Sequence, residues 1–218
     1  MGGAFVSIRG LSLKLGDYLS QLINEPGKAP VLAYGLELII GESVKLLILI
    51  LSAYLMGLLT PMLFFLSTAV PLRVLTGGQH CSSSFRCLIT TLIFFSLLVF
   101  LSESLIGIIS GNYLLLFALI SSVIFVIIIE YFGPGYSINY KEHSGALTRK
   151  VKKHTYISIT LWLLVLLIFM YLVNDLKLQS LFITSSSFGV LWQGFLVTPP
   201  GHLFIRAVDN GLLLAKVK

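Results

Sequence analysis

Long apolar runs fill most of this sequence, and each is close to the length that a helix needs to cross a lipid bilayer. The stretch 31–76 is too long for one perpendicular helix, and it is broken around Gly57 and Pro61. Since about 20 residues span the hydrocarbon core, we divide it into two crossings, at 36–57 and 60–75. Four clearer crossings follow at 88–109, 113–132, 156–173 and 181–197.

The composition agrees with a membrane protein. Hydrophobic residues make up 56% of the chain and charged residues only 11%, a balance that a water-soluble domain does not have. No polar stretch is long enough to enclose a separate soluble core. The sequence therefore predicts an all-α polytopic membrane protein, with about six transmembrane helices and a single domain over 1–218.

The N-terminal segment differs from the apolar runs. Between residues 5 and 23 apolar side chains recur at helical spacing, while Ser7, Arg9 and Asp17 mostly face the other way. This pattern predicts an amphipathic helix within 1–25 that lies at the membrane interface or against the other helices.

Basic residues cluster in short connections between the runs, which indicates membrane topology and not nucleic-acid binding. The segment 141–153 holds five Lys or Arg residues against one Glu, and Arg206, Lys216 and Lys218 follow the last run. The positive-inside rule makes 141–153 a cytoplasmic loop and both termini cytoplasmic, and it places 73–87 on the same side. A second interpretation of the basic loop is attraction of an acidic substrate.

The segment 73–87 interrupts the apolar pattern with both cysteines of the chain, a histidine and two adjacent glycines. A cytoplasmic location is reducing, so it argues against a disulfide between Cys81 and Cys87 and favours free thiols. A metal site built from His80 and the two cysteines lacks the fourth ligand that structural zinc usually takes. We therefore expect neither a metal nor a cofactor.

Cys87 lies where a cysteine would be activated. If Ser84 is the N-cap of the following helix, Cys87 occupies the third helical position, where unpaired backbone N–H groups and the helix dipole favour a thiolate. Arg86 adds a cation beside it. The alternative is that Cys87 is an inert packing residue, as cysteines in helices usually are.

The two glycines connect this cysteine with the histidine. Gly77 and Gly78 would let the backbone fold tightly enough to bring the His80 imidazole to the Cys87 sulfur. In the alternative interpretation, His80 is a polar residue at the membrane interface.

At these residues the sequence resembles the membrane cysteine peptidases of the accessory gene regulator quorum-sensing systems, the AgrB-like proteins. The family pattern is an Arg, three residues, Gly-Gly-x-His, and a Cys seven residues after the His. In this sequence it reads as Arg73, Gly77, Gly78, His80 and Cys87.

The resemblance implies a cysteine endopeptidase of the bacterial cell membrane with a Cys-His dyad. Such an enzyme removes the C-terminal tail of an AgrD-type precursor peptide and closes the remainder into a lactone or thiolactone autoinducing peptide. His80 would withdraw the thiol proton, and Cys87 would attack the scissile carbonyl. The resemblance also implies a homodimer, with the precursor peptide and the lipid bilayer as the other partners.

Some questions stay open at the level of sequence. Arg73 either binds a carboxylate or stabilises the loop, or it is an anchor at a helix end whose side chain reaches the interface. Gln79 and Asn139 are candidates to orient His80, without further support. The rival functions are a small transporter, against which the scarcity of charges within the spans argues, and a non-catalytic scaffold with a redox-sensitive cysteine.

Overall fold

The computed structural model describes residues 8–79, 81–106, 111–133 and 145–215, which form helices joined by short connections. The predicted all-α polytopic class is confirmed, because 6 helices are long and apolar enough to cross a membrane. The helices are α1 (Ile8–Leu22), α2 (Ala29–Leu55), α3 (Leu59–Thr76), α4 (Ser84–Ser104), α5 (Gly111–Phe132), α6 (Gly145–Leu172), α7 (Leu176–Val197) and α8 (Pro199–Leu214).

All six predicted spans begin earlier in the structure, and two of them begin earlier by seven residues or more. The first crossing starts at Ala29 and not at residue 36, because a proline, here Pro30, is tolerated in the first turn of a helix. The predicted basic loop 141–153 is helical from Gly145 onwards. Ala, Leu, Arg and Lys dominate the second half of this loop and are good helix formers. Helix α6 therefore begins with a basic helical segment before its apolar part.

The sequence analysis missed α8 entirely. The Thr198 side chain caps this helix by accepting a hydrogen bond from the Gly201 N–H at 3.2 Å. Pro199 follows at the first helical position, where proline is favoured. The Thr-Pro-Pro sequence after the last apolar run could therefore have been recognised as the start of a helix.

The chain divides into two compact units, residues 1–51 and 52–218, and the single-domain interpretation stays a prediction. In the first unit, α1 confirms the predicted amphipathic helix. Its small residues Ser12, Gly16 and Ser20 are buried, and a Cβ on Gly16 would lie 2.7 Å from the Ala33 backbone nitrogen. The close crossing leaves the apolar side chains of α1 exposed, which suits contact with lipid.

The second unit is built around α7. Within the most apolar 18 residues of each helix, 72% of the residues are buried in α7, 44% in α3 and 17% in α4. Glycines allow the neighbouring helices to approach it: a Cβ on Gly189 would lie 2.5 Å from the Phe65 carbonyl oxygen, and one on Gly194 would lie 3.1 Å from the Phe125 ring. Helices α3, α4, α5, α6 and α8 all contact α7.

Hydroxyl groups link α7 to its neighbours inside the apolar region. Thr68 donates a hydrogen bond to the Ser186 carbonyl at 2.8 Å, and the hydroxyls of Ser102 and Ser185 lie 2.8 Å apart. Polar groups in hydrocarbon need such internal partners. These contacts hold α7 in place, and its end carries Gln193 to the loop between α3 and α4.

Candidate active site

The loop between α3 and α4 begins with a turn that needs glycine. Gly77 has φ 69° and Gly78 has φ 137°, values that side chains with a Cβ rarely adopt. The Gly77 N–H donates to the Arg73 carbonyl at 2.9 Å and ends α3. The two glycines that were predicted to fold the backbone tightly therefore lie in a tight turn.

Two side chains fix this turn. Gln193 on α7 is 1% exposed, and its Nε2 donates to the Gly77 carbonyl at 2.7 Å and to the Thr76 hydroxyl at 2.8 Å. Arg73 Nη2 donates to the Gln79 carbonyl at 2.8 Å. Arg73 thus contacts the loop itself, one of the two roles considered for it.

At Gly78 the Arg73 side chain also packs directly against the backbone. A Cβ at this position would lie 2.5 Å from Arg73 Nη1. The predicted base, His80, follows two residues later and lies outside the described residues, so the Cys-His dyad stays a prediction.

Cys87 lies in the first turn of α4. Ser83 is the N-cap, and not Ser84 as predicted, so Cys87 is the fourth helical residue and not the third. Its backbone N–H donates to the Ser83 carbonyl at 3.0 Å. The Cys87 side chain is half-buried, and its carbonyl accepts a hydrogen bond from the Thr91 hydroxyl at 2.8 Å.

An aspartate of α8 holds the start of α4. Asp209 Oδ1 accepts from Arg86 Nε at 2.7 Å, and Oδ2 accepts from the Ser82 N–H at 3.0 Å and from the Ser82 hydroxyl at 2.7 Å. The side chains of Arg86 and Asp209 are only 9% and 13% exposed. Arg86 also contacts the Ser82 hydroxyl. The cation predicted to act beside Cys87 is thus engaged in an ion pair.

The charge of this aspartate is maintained by its partners. Burial alone would raise the pKa of Asp209, but the hydrogen bonds from Ser82 and Arg86 outweigh it and hold the pKa below the ordinary value of 3.8. Sequence reasoning missed Asp209 because it is far from the cysteines in the chain. Asp209 could have been singled out as an acidic residue within a basic C-terminal segment.

Cys81 has different surroundings from Cys87, although both are free thiols. Its sulfur lies 3.7 Å from the Thr90 hydroxyl. Burial raises the pKa of the Cys81 thiol, and the neighbouring Cys87 and Asp209 add to the effect, while the hydrogen bond with Thr90 opposes it. Cys81 therefore stays protonated at neutral pH.

A second histidine is buried at the same end of the protein. His202 on α8 is 1% exposed. Burial lowers the pKa of His202, and the nearby charges of Arg206 and Arg73 lower it further, so the imidazole is neutral. Sequence analysis did not single it out, because an isolated histidine in a terminal segment carries no motif.

The described residues contain no group of three His, Cys, Asp or Glu side chains that could hold a metal ion. The metal site considered from the sequence included His80, which lies outside these residues. The reactive group that the described residues present here is the half-buried Cys87 thiol, at a helix start that Asp209 holds.

The chain matches a known protein family over most of its length. The family model for Accessory gene regulator B matches residues 12–197. The chain belongs to the AgrB family. Membership associates it with the agr quorum-sensing system, and the family is known in general for enzymes that process quorum-sensing peptides. The six apolar helices and the family together identify a multi-pass membrane protein.

One relative covers nearly the whole chain. AgrB-like protein 2 of Clostridium perfringens (strain 13 / Type A) is 25% identical over an alignment of 209 residues, and the match covers 93% of this chain and 97% of that protein. No solved structure matches the chain. The family match ends at residue 197, so α8 with His202 and Asp209 lies beyond it.

Proposed function

We propose that this AgrB-family protein is a membrane-embedded cysteine endopeptidase that cuts an AgrD-type precursor peptide and closes its N-terminal part into a lactone or thiolactone. The observation that carries the proposal is the half-buried Cys87 thiol in the first turn of α4, at a helix start held by an ion pair. Family membership supplies the class of substrate, a quorum-sensing peptide.

In the first step, Cys87 Sγ attacks the carbonyl carbon of the scissile peptide bond. His80 takes the thiol proton and returns it to the leaving nitrogen, so the C–N bond breaks and the tail departs as an amine. The N-terminal part of the peptide stays on Cys87 as a thioester. The first-turn N–H groups of α4 suit stabilisation of the oxyanion, because they precede the helical hydrogen-bonding ladder.

In the second step, a thiol or hydroxyl of the bound peptide attacks the thioester carbonyl. The new S–C or O–C bond closes the ring, and the Cys87 sulfur leaves and regains its proton. A thioester hydrolyses if water reaches it, so a site at the membrane boundary that excludes water favours ring closure.

The surrounding residues have supporting roles in this proposal. Gly77 and Gly78 shape the loop that carries His80, and Arg73 stabilises that loop through the Gln79 carbonyl. The raised pKa of Cys81 supports Cys87 as the nucleophile. The cytoplasmic location of both termini and the homodimer stay predictions.

Reconstituted cleavage tests the proposal. The purified protein in liposomes is mixed with a synthetic AgrD-type peptide that contains one internal Cys, and the products are followed by mass spectrometry. We expect a released tail and a cyclic peptide that is lighter by one water than the hydrolysed form.

The matched control is the same peptide with its internal Cys replaced by Ala. This peptide should release its tail but give no ring, because the thioester then lacks an internal nucleophile. Absence of tail release from any precursor of this type, with protein that is folded in the membrane, would reject the proposal.

A further inference from the structure

We propose that Asp209 is a positioning residue for Cys87 and that α8 is thereby part of the catalytic machinery. The inference rests on the proposed function, since positioning has meaning only if the thiol reacts. It goes beyond the family match, which ends before α8 begins.

The contacts of Asp209 hold the start of α4 from two sides. Asp209 binds residues on both sides of the α4 N-cap: Ser82 precedes Ser83, and Arg86 follows it. The Cys87 N–H donates to the Ser83 carbonyl, which ties Cys87 to the backbone segment 82–86. The Asp209 carboxylate binds both ends of this segment. That segment cannot turn without breaking at least one of these bonds.

The ion pair between Arg86 and Asp209 is largely shielded from water. The Arg86 side chain is 9% exposed, and a buried cation is costly unless it is paired. Loss of the Asp209 carboxylate would remove the anionic partner at Nε of this guanidinium and would favour movement of the first turn of α4 towards water. Cys87, the next residue, would move with it. A negative charge at this place also suits the positive end of the α4 dipole.

Helix α8 is itself held in place by its N-cap and by buried residues. Thr198 caps the helix, and Gly201, His202 and Ile205 are buried. Helix α8 contacts both α4 and α7, so Asp209 is presented from a fixed surface. Because the pKa of Asp209 is lowered in the folded protein, its pairing stabilises the fold above about pH 3.8 and is lost only as the pH falls through the lowered value.

The test compares Asp209→Asn with Asn210→Ala, a change of the exposed neighbouring residue. Asp209 is not proposed to touch the peptide, so Asp209→Asn should lower kcat for tail release by about 10- to 100-fold, the effect of a misplacement of roughly 1 Å. The KM should stay within about twofold. Asn210→Ala should behave like the wild type.

A double variant distinguishes positioning from general damage. Arg86→Gln combined with Asp209→Asn removes the cation together with its partner, so the combined loss should be no larger than the worse single loss. Multiplied losses, an unchanged kcat in Asp209→Asn, or a change confined to KM would each overturn the inference.

Amide hydrogen exchange of residues 82–87 measures the effect of the Asp209 contacts without any substrate. Asp209→Asn should exchange faster there than the wild type, while the rest of α4 keeps its protection. If the wild type releases no tail but this difference is present, the proposed function fails and the structural role of Asp209 stands. If the wild type is active and Asp209→Asn shows neither change, only the inference fails.

Should Asp209→Asn not fold, Ser82→Ala is the second variant, and its expected loss in kcat is smaller because one of the three bonds to Asp209 is removed.

Discussion

The two cysteines of this protein lie six residues apart in the chain and differ in the contacts that hold them. Cys81 follows the glycine turn, contacts Thr90 and has a raised pKa. Cys87 lies in the first turn of α4, behind an N-cap that is held on both sides by Asp209. In the proposed mechanism, the position in the backbone, and not the residue type, therefore decides which of the two thiols attacks the peptide.

Replacement of each cysteine in turn should give the largest contrast. Cys87→Ala removes the nucleophile, so we expect tail release to fall by at least about 1,000-fold. Cys81→Ala should retain activity within about threefold, because its thiol stays protonated. Tail release is measured by mass spectrometry on equal amounts of folded protein. Comparable losses in both variants would remove the distinction between the two thiols.

The glycine turn between α3 and Cys81 gives the next effect. Gly78→Ala should destabilise the protein by about 1–3 kcal/mol and lower tail release, because φ is 137° and the new Cβ would lie 2.5 Å from Arg73. Gly57→Ala is the matched control, with φ 73° and no neighbour within 4 Å, so it should lose stability without loss of kcat. Unfolding in detergent and kcat are measured for both. Equal behaviour of the two variants would show that the Arg73 contact has no role.

Two glutamines at opposite ends of α7 form another matched pair. Gln193 binds the glycine turn, and Gln179 binds the carbonyls of Met170 and Val173 at the other end. Each change to Ala should reduce stability by about 1–2 kcal/mol, because partly buried carbonyls lose a donor. Only Gln193→Ala should also lower kcat, by roughly tenfold. A kcat loss in Gln179→Ala of the same size would mean that α7 stability alone controls activity.

The smallest expected effect concerns Cys81 itself. In a Cys87→Ala background, alkylation of Cys81 should reach its half-maximal rate above pH 9.0, since burial raises its pKa. Asp209→Asn should move this midpoint to lower pH, because one nearby negative charge is removed. Mass spectrometry after timed alkylation gives both values. Rapid alkylation at neutral pH would contradict the buried, protonated state of Cys81.

Much of this architecture could be predicted from the sequence. The six spans follow from apolar length, and the spacing of Gly77, Gly78 and Cys87 indicated a turn before a helix. The helix start was displaced by one residue, since Ser82, Ser83 and Ser84 are equally good N-caps and only the tertiary contacts select among them.

The partners of the site could not be predicted, because they come from distant parts of the chain. Gln193 lies within an apolar run, and its two bonds to the loop appear only when α7 packs beside α3. Asp209 lies on a helix that sequence analysis did not identify. Local patterns therefore predicted the elements that carry the site, whereas the contacts that hold it required the fold.

The most direct test of the proposed mechanism is to locate the acyl group. Wild-type protein is mixed with the precursor whose internal Cys is replaced by Ala, the reaction is stopped with acid, and the modified residue is mapped by peptide mass spectrometry. We predict a thioester on Cys87 that hydroxylamine removes. An acyl group on Cys81, or tail release with no acyl group on either cysteine, would contradict the mechanism.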